Sequence, residues 1–196
     1  LTDSIHYFRT VYRIPVSKLL PYDALLVPFA YFFFRNEKSP NAEQDGLLRE
    51  FFWRMSLSYR YSQSTESRLA QDIKRIDQIL KGARPSYEDV NVILESPQTL
   101  IDMNFGAGNS YCKAVLCLLA SMEPQNFNNN SKVLLDNSWL KMAHSKNFHH
   151  FFPKSFLRKQ KTPNENSLMN ITLVSDELNK RKIGSKGPST YVLAFA

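Results

Sequence analysis

Cysteine is scarce in this chain, with two residues, Cys112 and Cys117, among 196. Two thiols cannot build a disulfide framework, so the expected setting is reducing and cytoplasmic. Glycine and proline are few, at 6 and 10, which excludes collagenous and low-complexity chains. The longest apolar run, Ala24 to Phe34, is far too short to span a bilayer, and no membrane partner is expected. The opening Leu1-Thr2-Asp3 has neither the basic nor the apolar region of a signal peptide. It opens inside a helical pattern, and the C-terminus is an apolar run with no stop signal. The expectation is a piece of a larger protein.

What is present is material for a core. Hydrophobic residues make up 43% and charged residues 22%, a balance that describes a folded chain and excludes a disordered one. The net charge of +7 is unevenly placed. From Lys141 to Lys186 there are ten basic residues against three acids, Glu165, Asp176 and Glu177, and the rest of the chain is neutral. A localised positive window is the electrostatic footprint of a polyanion, although a solvated surface can show the same asymmetry.

Residues 1 to about 123 read as helical. Thr2 to Arg13 forms a first helix stopped by Pro15, and the stretch from Pro21 to Phe34 a second, kinked at Pro28. Leu47, Leu48, Phe51, Phe52, Met55 and Leu57 mark an amphipathic helix. Leu69, Ile73, Ile76, Ile79 and Leu80 mark another, with Ser64 as N-cap and Gly82 just past the end. A short helix is expected from Ser86, and a central buried one over Tyr111 to Met122. Its two cysteines read as small buried hydrophobes. Trp53, Arg54, Tyr59, Arg60 and Tyr61 read as core aromatics with snorkelling arginines, the alternative being a stacking and phosphate surface. The polar cluster Pro124 to Ser131 divides the chain into a helical domain, 1–130, and a smaller one, 131–196.

The chemistry-bearing residues lie in the second part. His144, His149 and His150 fall within seven residues, followed by Asn170 and, nine further on, Asn179. Adjacent side chains on a strand point to opposite faces, while a loop edge can turn both toward one space. A metal ligand beside a proton-accepting imidazole suits phosphodiester hydrolysis: the ion neutralises developing charge and the base activates water.

His149-His150-Phe151-Phe152-Pro153, then Asn170 and Asn179, resembles the HNH (ββα-metal) nuclease motif. It is similar to the HNH domain of RNA-guided CRISPR nucleases and to the His-His pair of colicin DNases. Leu20 to Leu26 and Phe51 to Ser62 resemble the C-terminal region of GmrSD-type modification-dependent restriction proteins. The resemblance implies a mainly α chain ending in a small ββα-metal domain. Its strands would come from Trp139 to Phe152 and Ile171 to Val174, and its crossing helix from Ser185 onward. It implies a metal-dependent DNA endonuclease of a bacterial restriction or phage-defence protein. His150 would be the general base, braced by a hydrogen bond from Asn170, and His149 and Asn179 the metal ligands. Lys154, Arg158, Lys159, Lys180, Arg181 and Lys182 would contact phosphates. The partners implied are DNA and a ParB-like nucleotide-binding domain of the same full-length protein, absent here.

Most of the resembling proteins carry an acid where this chain has His149. Magnesium prefers oxygen ligands, whereas imidazole suits manganese, nickel, cobalt or zinc. One divalent ion is expected, Mg2+ or Mn2+ or one of these softer ions. His144 reads as an ordinary histidine rather than a third ligand; were His149 not on the metal, His144 or Asp136 would be the next candidates. Two rivals stand beside the nuclease: an HNH-like DNA-binding or assembly module that no longer cuts, and a structural zinc site using His144, His149 and His150.

Overall fold

The computed structural model describes residues 1–14, 19–133, 135, 148–175 and 177–195, apart from the side chains of Phe148 and Lys180. The chain is mainly helical, with a two-stranded antiparallel sheet near the C-terminus. Helix α1 spans Thr2–Thr10, α2 Leu26–Arg35, α3 Ala42–Ser56 and α4 Thr65–Leu80. Shorter α5, Pro97–Asp102, and then α6, Ser110–Ser121, follow. Strand β1 is Phe148–His150 and β2 is Ile171–Leu173, with α7, Lys154–Lys159, between them. A π-helical stretch, Leu178–Ile183, and α8, Pro188–Leu193, complete the described chain.

Local chemistry explains most boundaries. Asn41 and Gln44 form a capping box at α3, each side chain satisfying the other's main-chain amide. Asn109 caps α6 through the amide of Cys112. Ser64 does stand at the N-cap of α4, but in the left-handed region (φ 52°), and its side chain makes no capping bond. Gly82 ends that helix at φ 73°, a conformation in which a Cβ would be strained. Two expectations change. Pro28 lies in the first turn of α2, where a missing N–H costs nothing, so the helix runs from Leu26 without an interior break there. Ser86 to Asp89 leads into a turn rather than a helix, closed by the Val90 N–H on the Tyr87 carbonyl, and the Ser86 carbonyl accepts from Arg75 Nε at 2.9 Å.

The main core is aromatic. Phe8, Tyr12, Phe29, Phe51 and Phe52 are buried together, and Tyr12 stacks on Phe52 at 4.4 Å. Leu48 and Met55 of α3 and Ile76 and Ile79 of α4 complete the faces predicted from spacing. Arg60 and Tyr61 are internal. Arg60 Nε donates to both oxygens of the fully buried Asp72, while Tyr61 donates to the same carboxylate at 2.6 Å. Arg54 pairs with Glu50 and lies over the Tyr87 ring.

Ile171 and Leu173 of β2 pack into this same core. A second cluster, Val174, Leu178, Ile183 and Tyr191, forms around the C-terminal elements. A strap joins α5 and the loop after it to the segment before β2. Phe105 N–H donates to the Asn166 carbonyl, Leu168 N–H to the Met103 carbonyl, and Asn164 Nδ2 to the Ile101 carbonyl, at 2.7–2.8 Å. Asn126 of the polar cluster accepts from the Ser175 amide at 2.9 Å, tying the loop to the end of β2.

Candidate functional site

Strands β1 and β2 pair with His149 opposite Thr172 and His150 opposite Ile171. Opposed residues of an antiparallel pair share a face, and neighbours alternate. Ile171 and Leu173 face the helical core, so His150 lies on that side and His149 on the other. The π-helical stretch follows β2 closely and carries Asn179 back over the His149 face.

His149 Nδ1 lies 2.7 Å from Asn179 Oδ1 across thirty residues of sequence. The ring is 4% exposed and meets Tyr191 edge-on. In the hydrogen-bonded form Nδ1–H donates to the amide oxygen, which leaves Nε2 with its lone pair. Nε2 is buried and has no hydrogen-bond partner among the described residues. Such an orphan costs about 1–3 kcal/mol, and its retention asks for a reason. Burial pushes the imidazole below its ordinary pKa, the Asn179 bond opposes this, and the charge of His150 adds to it.

His150 is half-buried, and its Nε2 lies 3.0 Å from Asn166 Oδ1. The Asn166 Nδ2 donates to the Phe105 carbonyl at 2.8 Å, which fixes the amide so that its oxygen faces the ring. His150 therefore carries its proton on Nε2 and keeps a lone pair on Nδ1. Burial lowers its pKa; the Asn166 bond and Glu165 oppose that, and Lys154 reinforces it. Both imidazoles are thus favoured neutral, as a base or a metal ligand must be.

Asn170 is expected from the sequence to brace His150 through a hydrogen bond; its side chain instead bonds the main chain of Phe152. Its Oδ1 accepts from the Phe152 N–H at 2.8 Å and its Nδ2 donates to the Phe152 carbonyl at 2.9 Å. It fixes the main chain two residues beyond His150. Asn166 is the partner of His150 that sequence reading missed. Its nearness to Asn170 was visible, but its role depends on Phe105, sixty-one residues away.

Of the basic residues, Lys159, Arg181 and Lys182 are exposed and Lys154 is half-buried. Arg158 is exposed but forms a two-bond pair with Glu165, so its charge is largely compensated. His144, Asp136 and the predicted strand over Trp139 to Asn147 lie outside the described residues, as does the side chain of Lys180. Among the described residues no three His, Cys, Asp or Glu side chains are close enough to hold an ion. The zinc alternative draws no support from His149 and His150, which face opposite sides of β1. Cys117 is buried and donates to the Leu19 carbonyl, and burial raises its thiol far above the usual range.

His149 Nδ1 and Asn179 Oδ1 are two donor atoms that could share one divalent ion, and coordination at Nδ1 would move the ring proton to the buried Nε2, which has no partner among the described residues. The 2.7 Å separation is a hydrogen-bond distance, and coordination would require Nδ1 to give up its proton. One nitrogen and one amide oxygen suit manganese, cobalt, nickel or zinc better than magnesium.

The chain is similar to the uncharacterized protein MJ0686 of Methanocaldococcus jannaschii, 31% identical over 189 residues. That match takes in 90% of this chain and spans 29% of the relative's length. No family model and no solved structure matches the chain.

Proposed function

We propose that this chain is the HNH-type endonuclease portion of a DNA-restriction protein, a metal-dependent phosphodiester hydrolase. The observation that carries the reading is the meeting of His149 Nδ1 and Asn179 Oδ1 at 2.7 Å, between an antiparallel hairpin and the helical segment after it. A divalent ion held by His149 and Asn179 would neutralise charge developing on the phosphate oxygens. The chain's own groups do the rest. His150, protonated on Nε2 by its bond to Asn166, takes a proton from water at Nδ1. Asn170 fixes the loop beyond it through Phe152. Lys154, Lys159, Arg181 and Lys182 bind flanking phosphates, which position the strand without reading its sequence. A ParB-like nucleotide-binding domain in the full-length protein belongs to the same proposal.

A second reading has one observation in its favour. His150 and His149 lie on opposite faces of β1, which suits an HNH-like binding or assembly module that no longer cuts. Incubation with supercoiled plasmid and Mn2+ or Mg2+, against a chelator control, separates the two. The nuclease nicks only with metal, and His150→Ala lowers the rate about 10²–10⁴-fold while leaving DNA retention intact. Retardation of the plasmid without nicking under any of these metals supports the module instead.

A further inference from the structure

Phe152 is an exposed aromatic ring on a rigid mount. The residue is 42% exposed, two positions past His150, and Asn170 holds both its N–H and its carbonyl. Its ring meets Phe151 edge-on at 5.2 Å and lies nearly parallel to Phe156, 6.4 Å away at 25°. Phe151 in turn packs on Phe127 and on the buried Tyr191. Phe156 is backed by Gly187, where an added Cβ would come within 2.6 Å of the ring. A column of rings therefore runs outward from the C-terminal core and ends on Phe152.

The surroundings favour one class of occupant. Lys154 and Lys159 lie on the helix that begins two residues later, and Ser155 beside them is exposed. A protein partner is expected to seek a larger contiguous apolar patch. A fixed, partly exposed ring two residues before a helix that carries Lys154 and Lys159 has instead the composition of a base-stacking site, where the ring takes a nucleobase and the cations follow its phosphates. We infer that Phe152 stacks an unpaired nucleobase of a DNA strand lying along Lys154–Lys159. The inference rests on the nuclease reading for the identity of the strand.

The test is binding of a labelled oligo-dT to the full chain in a chelating buffer, so that cutting plays no part. Phe152→Ala should weaken binding about tenfold or more, and Phe152→Leu, apolar but without a π-face, should weaken it similarly. Phe152→Trp should retain affinity, and its added fluorescence should be quenched by the oligonucleotide. Thermal unfolding should show Phe152→Ala still folded at the assay temperature, the lost contacts with Phe151 and Phe156 lowering Tm without unfolding the chain. If Phe152→Ala or Phe152→Leu binds as wild type does, the stacking role is wrong and the nuclease reading stands. If wild type does not bind DNA even at low salt, the nuclease reading fails and the inference with it.

Discussion

Asn170→Ala removes the link between β2 and the loop after His150. Two bonds are lost, the 2.8 Å bond from the Phe152 amide and the 2.9 Å bond to its carbonyl, along with a longer one to the Glu165 carbonyl at 3.4 Å. Each short bond contributes about 1 kcal/mol net. Phe152 is partly exposed, so water replaces part of what its main chain loses, and the expected cost is about 2 kcal/mol. For a chain of this length that lowers Tm by roughly 4–8 °C. Asn170→Asp separates hydrogen bonding from packing, because it keeps the shape. At neutral pH it keeps the acceptor for the amide but turns a carboxylate oxygen toward the Phe152 carbonyl, and it should cost at least as much as alanine. As pH falls and the new carboxyl is protonated, it donates again, and the gap to wild type should narrow. Thermal unfolding followed by circular dichroism from pH 7.5 to 4 measures all three proteins. A shift below about 1 °C for alanine, or an aspartate variant equal to wild type at neutral pH, would refute the two-bond brace.

Asp72→Ala should destabilise by about 3–5 kcal/mol in denaturant titration, because Arg60 and Arg75 are left without the buried carboxylate they share; a loss under 1 kcal/mol would contradict this. Glu50 is held below its ordinary value of 4.5 chiefly by Arg84, with Arg54 adding to the effect. A depressed carboxylate stabilises above its unfolded pKa and loses that contribution as pH falls through the folded value. Glu50→Gln should therefore flatten the acid side of the stability curve below about pH 4.5, and an unchanged slope would count against the assignment. His149→Asp restores an oxygen ligand and should move metal-dependent cleavage from manganese toward magnesium. An unchanged metal profile would take His149 off the ion.

The helices were legible because their apolar residues recur at helical spacing; Leu48, Phe51, Phe52 and Met55 are buried together as that spacing requires. The Ser86 segment forms a turn instead of the expected helix, held by partners from distant elements. Arg75 takes the Ser86 carbonyl, and Asp89 joins Arg60 and Arg75. Such partners lie eleven to twenty-nine residues apart, beyond any local pattern. At the candidate site, the motif named His149, His150, Asn170 and Asn179 but not their pairing. Asn170 serves Phe152, and Asn166 serves His150 because the strap at Phe105 orients it. Alternation along β1 also separates the two histidines, which adjacency in the sequence does not show.

The most direct test of the account is Mn2+ binding by the full chain, followed by electron paramagnetic resonance as free ion disappears. The account predicts one bound ion in wild type, with affinity strongly reduced in both His149→Ala and Asn179→Ala and nearly unchanged in Asn170→Ala. Equal binding in wild type and the first two variants, or no bound ion at all, would contradict a metal site built on His149 and Asn179.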